Sequence, residues 1–302
     1  MWLAKQLGTD IMQKADISII IVNYNAGSTL LNCVQHVLQA QGQAQVFVVD
    51  NASEDDSITI LKKAYPNHAR LHIRVQTENL GFAAASNSVL NEIDSDYVLF
   101  LNPDCMIQND TLVRCLSEME KQPQAGMAGV LVKNTDGSEQ RSCRRDIPTP
   151  GKALVRVFHL HRLFPNHARW SNFEHSERPL PEKPVFLEGI SGAFMLVRST
   201  ALEQVGAMDE RYFLHCEDLD WFIRFQQAGW KILFIPDISV EHSQGICSQK
   251  TPLRISWYKH RGMVRYYQKF FQQAYPRPLL WAVIAAVWVR FALLSVRNVF
   301  MR

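Results

Sequence analysis

From residue 17 onward the apolar positions alternate between short unbroken runs and longer stretches with helical spacing. "ISIIIVNYN" (17–25) is a β-branched run that stops at polar turn residues, and the apolar positions of "GSTLLNCVQHVLQA" after it recur as on one helix face. The rhythm then repeats. "AQVFVVDNAS" is a strand-like run ending at Asp50 and Asn51, while "SEDDSITILKKAY" supplies an acidic helix start and a helical body. "LHIRVQTEN" predicts a third strand, "GFAAASNSVLNEI" a third helix opened by Gly81, and "DYVLFLNPDC" a fourth strand that stops at Asn102-Pro103-Asp104. Strands apolar on both faces and separated by helices predict a mostly parallel sheet covered by helices on both sides.

Beyond it, "TLVRCLSEMEKQ" predicts a helix and "AGMAGVLV" a strand. A basic, proline-containing stretch, "KNTDGSEQRSCRRDIPTPGK", follows, and residues 135–185 carry no clear pattern. Order returns with "VFLEGISGAFMLVRSTALEQVG", a strand pair with a glycine bend leading into a helix. The loop "MDERYFLHCEDLD" then enters the helix "WFIRFQQAG", and "WKILFIPDISVEHSQG" reads as strands ending near His242.

Composition narrows the class. With 302 residues, 47% hydrophobic and 20% charged, the chain has enough apolar mass for one large α/β domain with an appendage, and is neither disordered nor a multi-span membrane protein. A net charge of +3 gives no footprint for a nucleic acid polymer. The six cysteines include no Cys-x-x-Cys pair, which argues against a zinc cage and suits reduced thiols in the cytoplasm. "MWLAKQLGTDIMQKAD" has neither the apolar length nor the cleavage site of a secretory signal.

In parallel sheets, ligands bind beyond the carboxyl ends of the strands. Asn25, Asp50, Asn79 and Asp104 all follow predicted strand ends, so four polar groups distant in sequence are expected at one edge. Each also suits a turn or helix cap.

Seven blocks in order, "SIIIVNYN", "VVDNASED", "ENLGFAAASN", "LFLNPDC", "GISGAFMLVR", "HCEDLDWFIR" and "VEHSQG", resemble the inverting family 2 glycosyltransferases of the GT-A fold, in their rhamnosyltransferase-like branch. The resemblance implies a Rossmann-like GT-A domain over residues 1–250; the remaining residues, 251–302, are expected from their composition to form a C-terminal helical, membrane-associating segment. It implies transfer of one sugar, L-rhamnose from dTDP-L-rhamnose, to an acceptor hydroxyl with inversion in cell-surface polysaccharide assembly. The other reading is a non-catalytic sugar-nucleotide-binding or scaffold subunit. A dehydrogenase is excluded, since no Gly-x-Gly-x-x-Gly loop follows the first strand.

The chemistry needs a countercharge for the leaving diphosphate, which Mg²⁺ or Mn²⁺ supplies through hard oxygen ligands. By resemblance, Asp104 is the metal ligand, although Asn102 stands where the family's Asp-x-Asp element has its first acid, and His242 is the second metal or diphosphate contact. Asp50, Asn51, Asn79 and Gly81 are then expected around the donor's base and ribose, with Val22, Asn23 and Tyr24 lining the base pocket. The attacking hydroxyl needs a base, and the resemblance points to Asp218, with Glu217 supporting it or touching the acceptor. Glu217, Asp218 and Asp220 also suit an acidic first helical turn. Arg224 either binds the donor's diphosphate or pairs with these acids.

At the C-terminus, "PLLWAVIAAVWV" (278–289) is unbroken but shorter than the roughly 20 residues of a membrane span. Arg290 and Arg297 share a helix face, and "WYKHRGMVRYYQKF" interleaves cations with aromatics. Both suit peripheral attachment at the inner face of the cytoplasmic membrane and a glycan or lipid-linked glycan acceptor, the other reading being an amphipathic helix packed on the protein or on a second subunit.

Overall fold

The computed structural model describes residues 16–157, 174–176, 178–243 and 252–300. The opening rhythm folds as its pattern predicts. Strands β1 (Ile17–Asn23), β2 (Gln45–Asp50), β3 (Leu71–Val75) and β4 (Tyr97–Leu101) lie parallel in the order β3-β2-β1-β4. The helices α1 (Ser28–Gln39), α2 (Ser57–Ala64) and α3 (Phe82–Asn87) connect them. β1 is buried along its whole length and β4 likewise, because helices cover both faces there. β3 is only half-buried, as an edge strand with one neighbour. The third helix is shorter than its sequence pattern suggests. It stops at Asn87 and gives way to a single 3₁₀ turn, Leu90–Glu92, where the Ser88 hydroxyl bonds back to the Ala85 carbonyl.

After β4 the sheet stops being parallel. The two-residue β5 (Cys105–Met106) precedes α4 (Thr111–Glu120) and β6 (Ala125–Lys133), and the basic stretch contributes β7 (Arg144–Arg145) and α5 (Pro150–Val157). β8 (Val185–Leu187), β9 (Gly189–Ile190) and β10 (Phe194–Arg198) lead into α6 (Ser199–Val205), α7 (Glu217–Gln227) and β11 (Lys231–His242). β10 runs antiparallel between β4 and β6, and β11 lies parallel to β6. The result is one mixed, nine-stranded sheet, with β7 and β9 forming a separate small ladder. The expected second-half strands merge into the single long β11, whose pairing with β6 shifts register between Ile235 and Ser239, where Pro236 has no amide to donate.

Helix α7 packs over the sheet centre, and Trp221 on it meets Phe100 of β4 edge-to-face at 5.1 Å between ring centroids. Both rings are buried. The five cysteines among the described residues are free and buried; Cys247 lies outside them. The chain ends in a helical hairpin, α8 (Pro252–Phe271) and α9 (Arg277–Phe300). Truncating the ring at the sheet centre, Phe100→Ala, is expected to lower stability by about 3–5 kcal/mol through lost burial and an unfilled cavity. Urea unfolding followed by tryptophan fluorescence checks this.

Candidate active site

Strand polarity sends the ends of β1, β2, β4, β6 and β11, and the start of β10, to one edge of the sheet. Along this edge the first cluster is a hydrogen-bond frame. Asn23, fully buried, donates from Nδ2 to Asp50 Oδ1 (2.7 Å) and to the hydroxyls of Ser53 (3.0 Å) and Ser57 (2.8 Å). Asp50 Oδ2 accepts from the Ser53 amide. Asn51 donates from Nδ2 to Asn79 Oδ1 (2.9 Å) and the Gly81 carbonyl, and its Oδ1 accepts the Leu80 amide (2.9 Å). Three of the residues expected at the donor, Asn51, Asn79 and Gly81, thereby knit one loop. Gly81 has φ +84°, and a Cβ there would sit 2.3 Å from the Phe213 carbonyl oxygen, so only glycine fits. Val22 is buried at the end of β1, while Tyr24 just beyond it is half-buried.

The second cluster answers why β4 stops at Asn-Pro-Asp. β5 pairs antiparallel with the end of β11, Cys105 opposite His242, and this register sets His242 Nε2 3.0 Å from Asp104 Oδ1. Asn102 Nδ2 lies 3.2 Å from the same nitrogen, and Gln140 Oε1 lies 2.7 Å from His242 Nδ1. Because the Gln140 amide nitrogen points to Asn134 Oδ1 and the His242 carbonyl, its oxygen accepts from Nδ1–H. Nε2, the acceptor in this tautomer, meets both the Asn102 amide nitrogen and the Asp104 carboxylate. Two acceptors held this close fit a divalent cation between them, with Gln140 orienting the imidazole. Among the described residues no group of three or more His, Cys, Asp and Glu surrounds a metal position. Two protein ligands nevertheless suit Mg²⁺ or Mn²⁺, whose shell is completed by phosphate oxygens and water.

The third cluster is the start of α7, reached through two consecutive non-glycine residues at positive φ, His215 (69°) and Cys216 (73°). The three acids predicted there separate in role. Asp220, fully buried, is spent on structure: its Oδ1 accepts from Arg224 Nε (2.8 Å) and its Oδ2 from Lys269 Nζ (2.5 Å). The rest of the Arg224 guanidinium goes to the carbonyls of Val205, Gly206 and Ala207. Of the two alternatives for Arg224, pairing with the acids is the one observed. Its donors are directed into the protein, away from a diphosphate. Asp218 is paired through Oδ2 with Arg145 of β7, and the Arg145 guanidinium also lies over the Phe222 ring, 5.7 Å from its centroid. Glu217 is buried with no hydrogen-bond partner for Oε2, and its pKa is pushed up to about 8 by burial and then by the neighbouring Asp218.

Backbone at the start of β10 joins the second and third clusters. The Ala193 carbonyl accepts the Asn102 amide (3.0 Å), and a Cβ on Gly192 would lie 3.3 Å from Asp218 Oδ2. The small residues of "GISGAF" thus occur where backbone passes between Asp104 and Asp218. Sequence reasoning missed Gln140 and Arg145. Both lie in the stretch without a clear pattern, and nothing in "SEQRSCRRD" distinguishes the Arg that reaches Asp218 from its neighbours. Part of that stretch, residues 158–173, lies outside the described residues.

With this geometry in place, the pattern of "Glycosyl transferase family 2" matches residues 18–206, more than half of the chain. The chain belongs to glycosyl transferase family 2. It is 28% identical over 249 residues to the N-acetylglucosaminyl-diphospho-decaprenol L-rhamnosyltransferase of Mycobacterium tuberculosis, covering 78% of each chain. To the rhamnosyltransferase WbbL of Escherichia coli it is 24% identical, over 75% of this chain and 83% of that one. Among solved structures, a mannosyltransferase from Pyrobaculum calidifontis in complex with GDP-Man and Mn²⁺ superposes with a TM-score of 0.57 at 14% identity, over 94% of this chain and 75% of that one. The mixed sheet with flanking helices is therefore the GT-A fold, and the protein is a glycosyltransferase.

The Glu217 environment has a measurable consequence. An unfolded chain releases this proton near 4.5 whereas the native state keeps it to about 8, so stability falls as pH rises through that interval. Glu217→Gln keeps the neutral shape and removes the titration. Its urea midpoint, relative to that of the wild type, is expected to climb steadily between about pH 5 and pH 8; a constant difference across that range contradicts the assignment.

Proposed function

We propose that this glycosyltransferase moves L-rhamnose from dTDP-L-rhamnose, with inversion, to a hydroxyl of a lipid-linked glycan during cell-surface polysaccharide assembly. The observation that carries the reading is the meeting of the Asp104–His242 pair and Asp218 on one strand edge, joined through Gly192 and Ala193. The names of the two rhamnosyltransferase relatives support the sugar, and the diphospho-decaprenol in one of them supports a lipid-linked acceptor. The neighbour solved with GDP-Man and Mn²⁺ supports a nucleotide-sugar donor used with a divalent metal.

In this reading Asp104 and His242 hold Mg²⁺ or Mn²⁺, which offsets the charge that grows on the leaving diphosphate. Val22, Tyr24 and Asp50 face the nucleoside, and Asn51, Asn79 and Gly81 keep that side of the pocket in shape. Asp218 takes the proton of the attacking hydroxyl, and Arg145 fixes which way its carboxylate points. Glu217, protonated at neutral pH, donates a hydrogen bond to the acceptor. One displacement with the base on the acceptor side inverts the anomeric centre.

The purified enzyme is expected to release dTDP from dTDP-L-rhamnose in a manner dependent on Mg²⁺ or Mn²⁺. Asp218→Asn should lower kcat by about 10²–10⁴-fold with donor affinity kept, and Asp104→Ala should weaken metal-dependent donor binding. Donor binding without turnover, indifferent to Asp218→Asn, would instead identify a non-catalytic scaffold subunit.

The hairpin supports peripheral membrane attachment. The short apolar run seen in the sequence lies within the unbroken α9, and its stretch Arg277–Arg297 is long and apolar enough to cross a membrane, with a mean hydropathy of 2.2 and 11% of it buried. Its contacts favour lying flat. Leu280 and Val283 are buried, and Trp288 and Phe291 pack on Trp257 of α8 at 5.1 and 5.6 Å between ring centroids. A helix that packs on its hairpin partner between residues 280 and 291 suits attachment along the bilayer surface. Trp281, Val289, Leu293 and Val296 stay exposed and suit the headgroup boundary of an anionic leaflet. Full-length protein should co-sediment with vesicles containing phosphatidylglycerol, and Val289→Glu with Leu293→Glu should abolish this while leaving donor binding intact.

A further inference from the structure

Helix α8 runs along the segment that carries the proposed base and touches it once per turn. Tyr258 stacks on Phe213 at 4.2 Å between ring centroids. One turn on, a Cβ on Gly262 would lie 2.9 Å from the His215 carbonyl oxygen, so a glycine lets the helix approach this closely, and Cys216 Sγ donates to the Lys259 carbonyl (3.8 Å). Arg265 lies over the Tyr212 ring, 5.4 Å from its centroid, and its guanidinium pairs with Asp209 Oδ2 at 3.2 Å. Lys269 closes the row, its Nζ reaching Asp209 Oδ2 (2.9 Å) and Asp220 Oδ2 (2.5 Å). Positions 258, 262, 265 and 269 are spaced four, three and four apart, which is one face of a helix.

The two acids that Lys269 joins bracket everything the turn presents. Between Asp209 and Asp220 lie the His215–Cys216 turn, Glu217 and Asp218. Both bracketing carboxylates are nearly closed to solvent, 8% and 0% exposed, so each depends on its cations. Arg211 and Arg265 serve Asp209, and Arg224 serves Asp220; among the described residues, Lys269 is the side chain that engages both. Two consecutive non-glycine residues at positive φ persist only where their surroundings hold them there, and α8 supplies those surroundings. Arg145 orients the carboxylate of Asp218, while the backbone beneath it is held from α8.

We propose that Lys269 is a positioning residue for the sugar transfer: by tying Asp209 to Asp220 it holds the strained turn where Asp218 meets the acceptor hydroxyl, so the cleft is complete only with the C-terminal hairpin in place. The proposal rests on the reading in which Asp218 is the base, and adds a residue outside the 18–206 stretch that the family pattern matches. The ion pairs of Lys269 go to Asp209 and Asp220, whereas the donor frame and the Asp104–His242 pair are held by other side chains. Its removal therefore acts on the base and spares donor and metal. A catalytic group displaced by about 1 Å loses on the order of 10²-fold in rate.

The test compares full-length wild type with Lys269→Met, Lys269→Arg and Gly262→Ala. In Lys269→Met, hydrogen exchange read by mass spectrometry should speed up by about 10-fold or more over residues 212–220, while β1 and β2 keep the wild-type rate. Turnover of dTDP-L-rhamnose with Mn²⁺ should show kcat lowered by about 10- to 100-fold, with dTDP affinity within about twofold of wild type. Lys269→Arg still offers donors to both carboxylates and should retain most of the rate. Gly262→Ala pushes α8 off the His215 carbonyl and should lower kcat in the same way; a wild-type rate there counts against the hairpin's part. The pH profile separates positioning from packing. With the turn held, Glu217, faced by Asp218 and Arg145, keeps its proton to about 8 through burial first, and turnover falls as pH rises through that value. With the turn loosened in Lys269→Met, water reaches this carboxyl and the fall should begin at lower pH. An unchanged kcat in Lys269→Met overturns the proposal, and so does a lowered kcat with an unshifted pH profile. Faster exchange across the whole sheet together with lost dTDP affinity also overturns it and makes Lys269 a general stabiliser of the fold. If wild type turns over no dTDP-L-rhamnose, the donor assignment fails, and exchange over residues 212–220 still decides whether Lys269 holds the turn: a rate equal to that of wild type overturns it.

Discussion

The antiparallel insertion of Phe194–Arg198 between two strands of opposite direction is the constraint on which the site depends. It brings the beginning of one strand to the edge where its neighbours end. Backbone at Gly192 and Ala193 then stands between the Asn102–Asp104 turn and the carboxylate of Asp218. In a wholly parallel sheet this edge would collect only strand ends and the helix starts that follow them. The change of direction brings the Asn102–Asp104 turn and the Asp218 carboxylate, more than a hundred residues apart, to one cleft. It also explains the small side chains there, because two functional groups crowd the same stretch of backbone from different elements.

Charge is distributed by partner, not by residue type. Three acids fall in one helical turn, and the dipole of the helix favours them all. Their surroundings then divide them. Asp220 is neutralised by Arg224 and Lys269, Asp218 shares Arg145, and Glu217 has no cation of its own and keeps its proton to about 8. A similar division applies at the other cluster, where Gln140 commits one nitrogen of His242 and leaves the second toward Asp104. In both places a residue from the basic stretch after the β6 strand orients the functional group.

The C-terminal hairpin does more than add apolar surface. Its first helix lies against the strained His215–Cys216 turn, and its second is held to the first by Trp257, Trp288 and Phe291. The exposed apolar surface of the hairpin and the turn that presents Glu217 and Asp218 are therefore mechanically connected.

The sequence by itself determined the parallel half of the sheet, because unbroken β-branched runs separated by helically spaced apolar residues have few other ways to bury themselves. It also marked Asp50, Asp104, Asp218 and His242, since each ends a strand or opens a helix within a block that resembles a known family. Whether Arg224 would face a ligand or its own helix was decided by the third dimension, through three carbonyls at the end of α6 that no local pattern announces. The same holds for Asn51, whose amide is used to close the loop over Gly81. Arg145 and Gln140 gave no signal, as their partners lie 73 and 102 residues away and a hydrogen bond or charge contact leaves no periodicity in the chain. Periodic burial is written locally and can be read from one strand or helix at a time, whereas the pairing of polar groups across elements exists only once the sheet has brought those elements together.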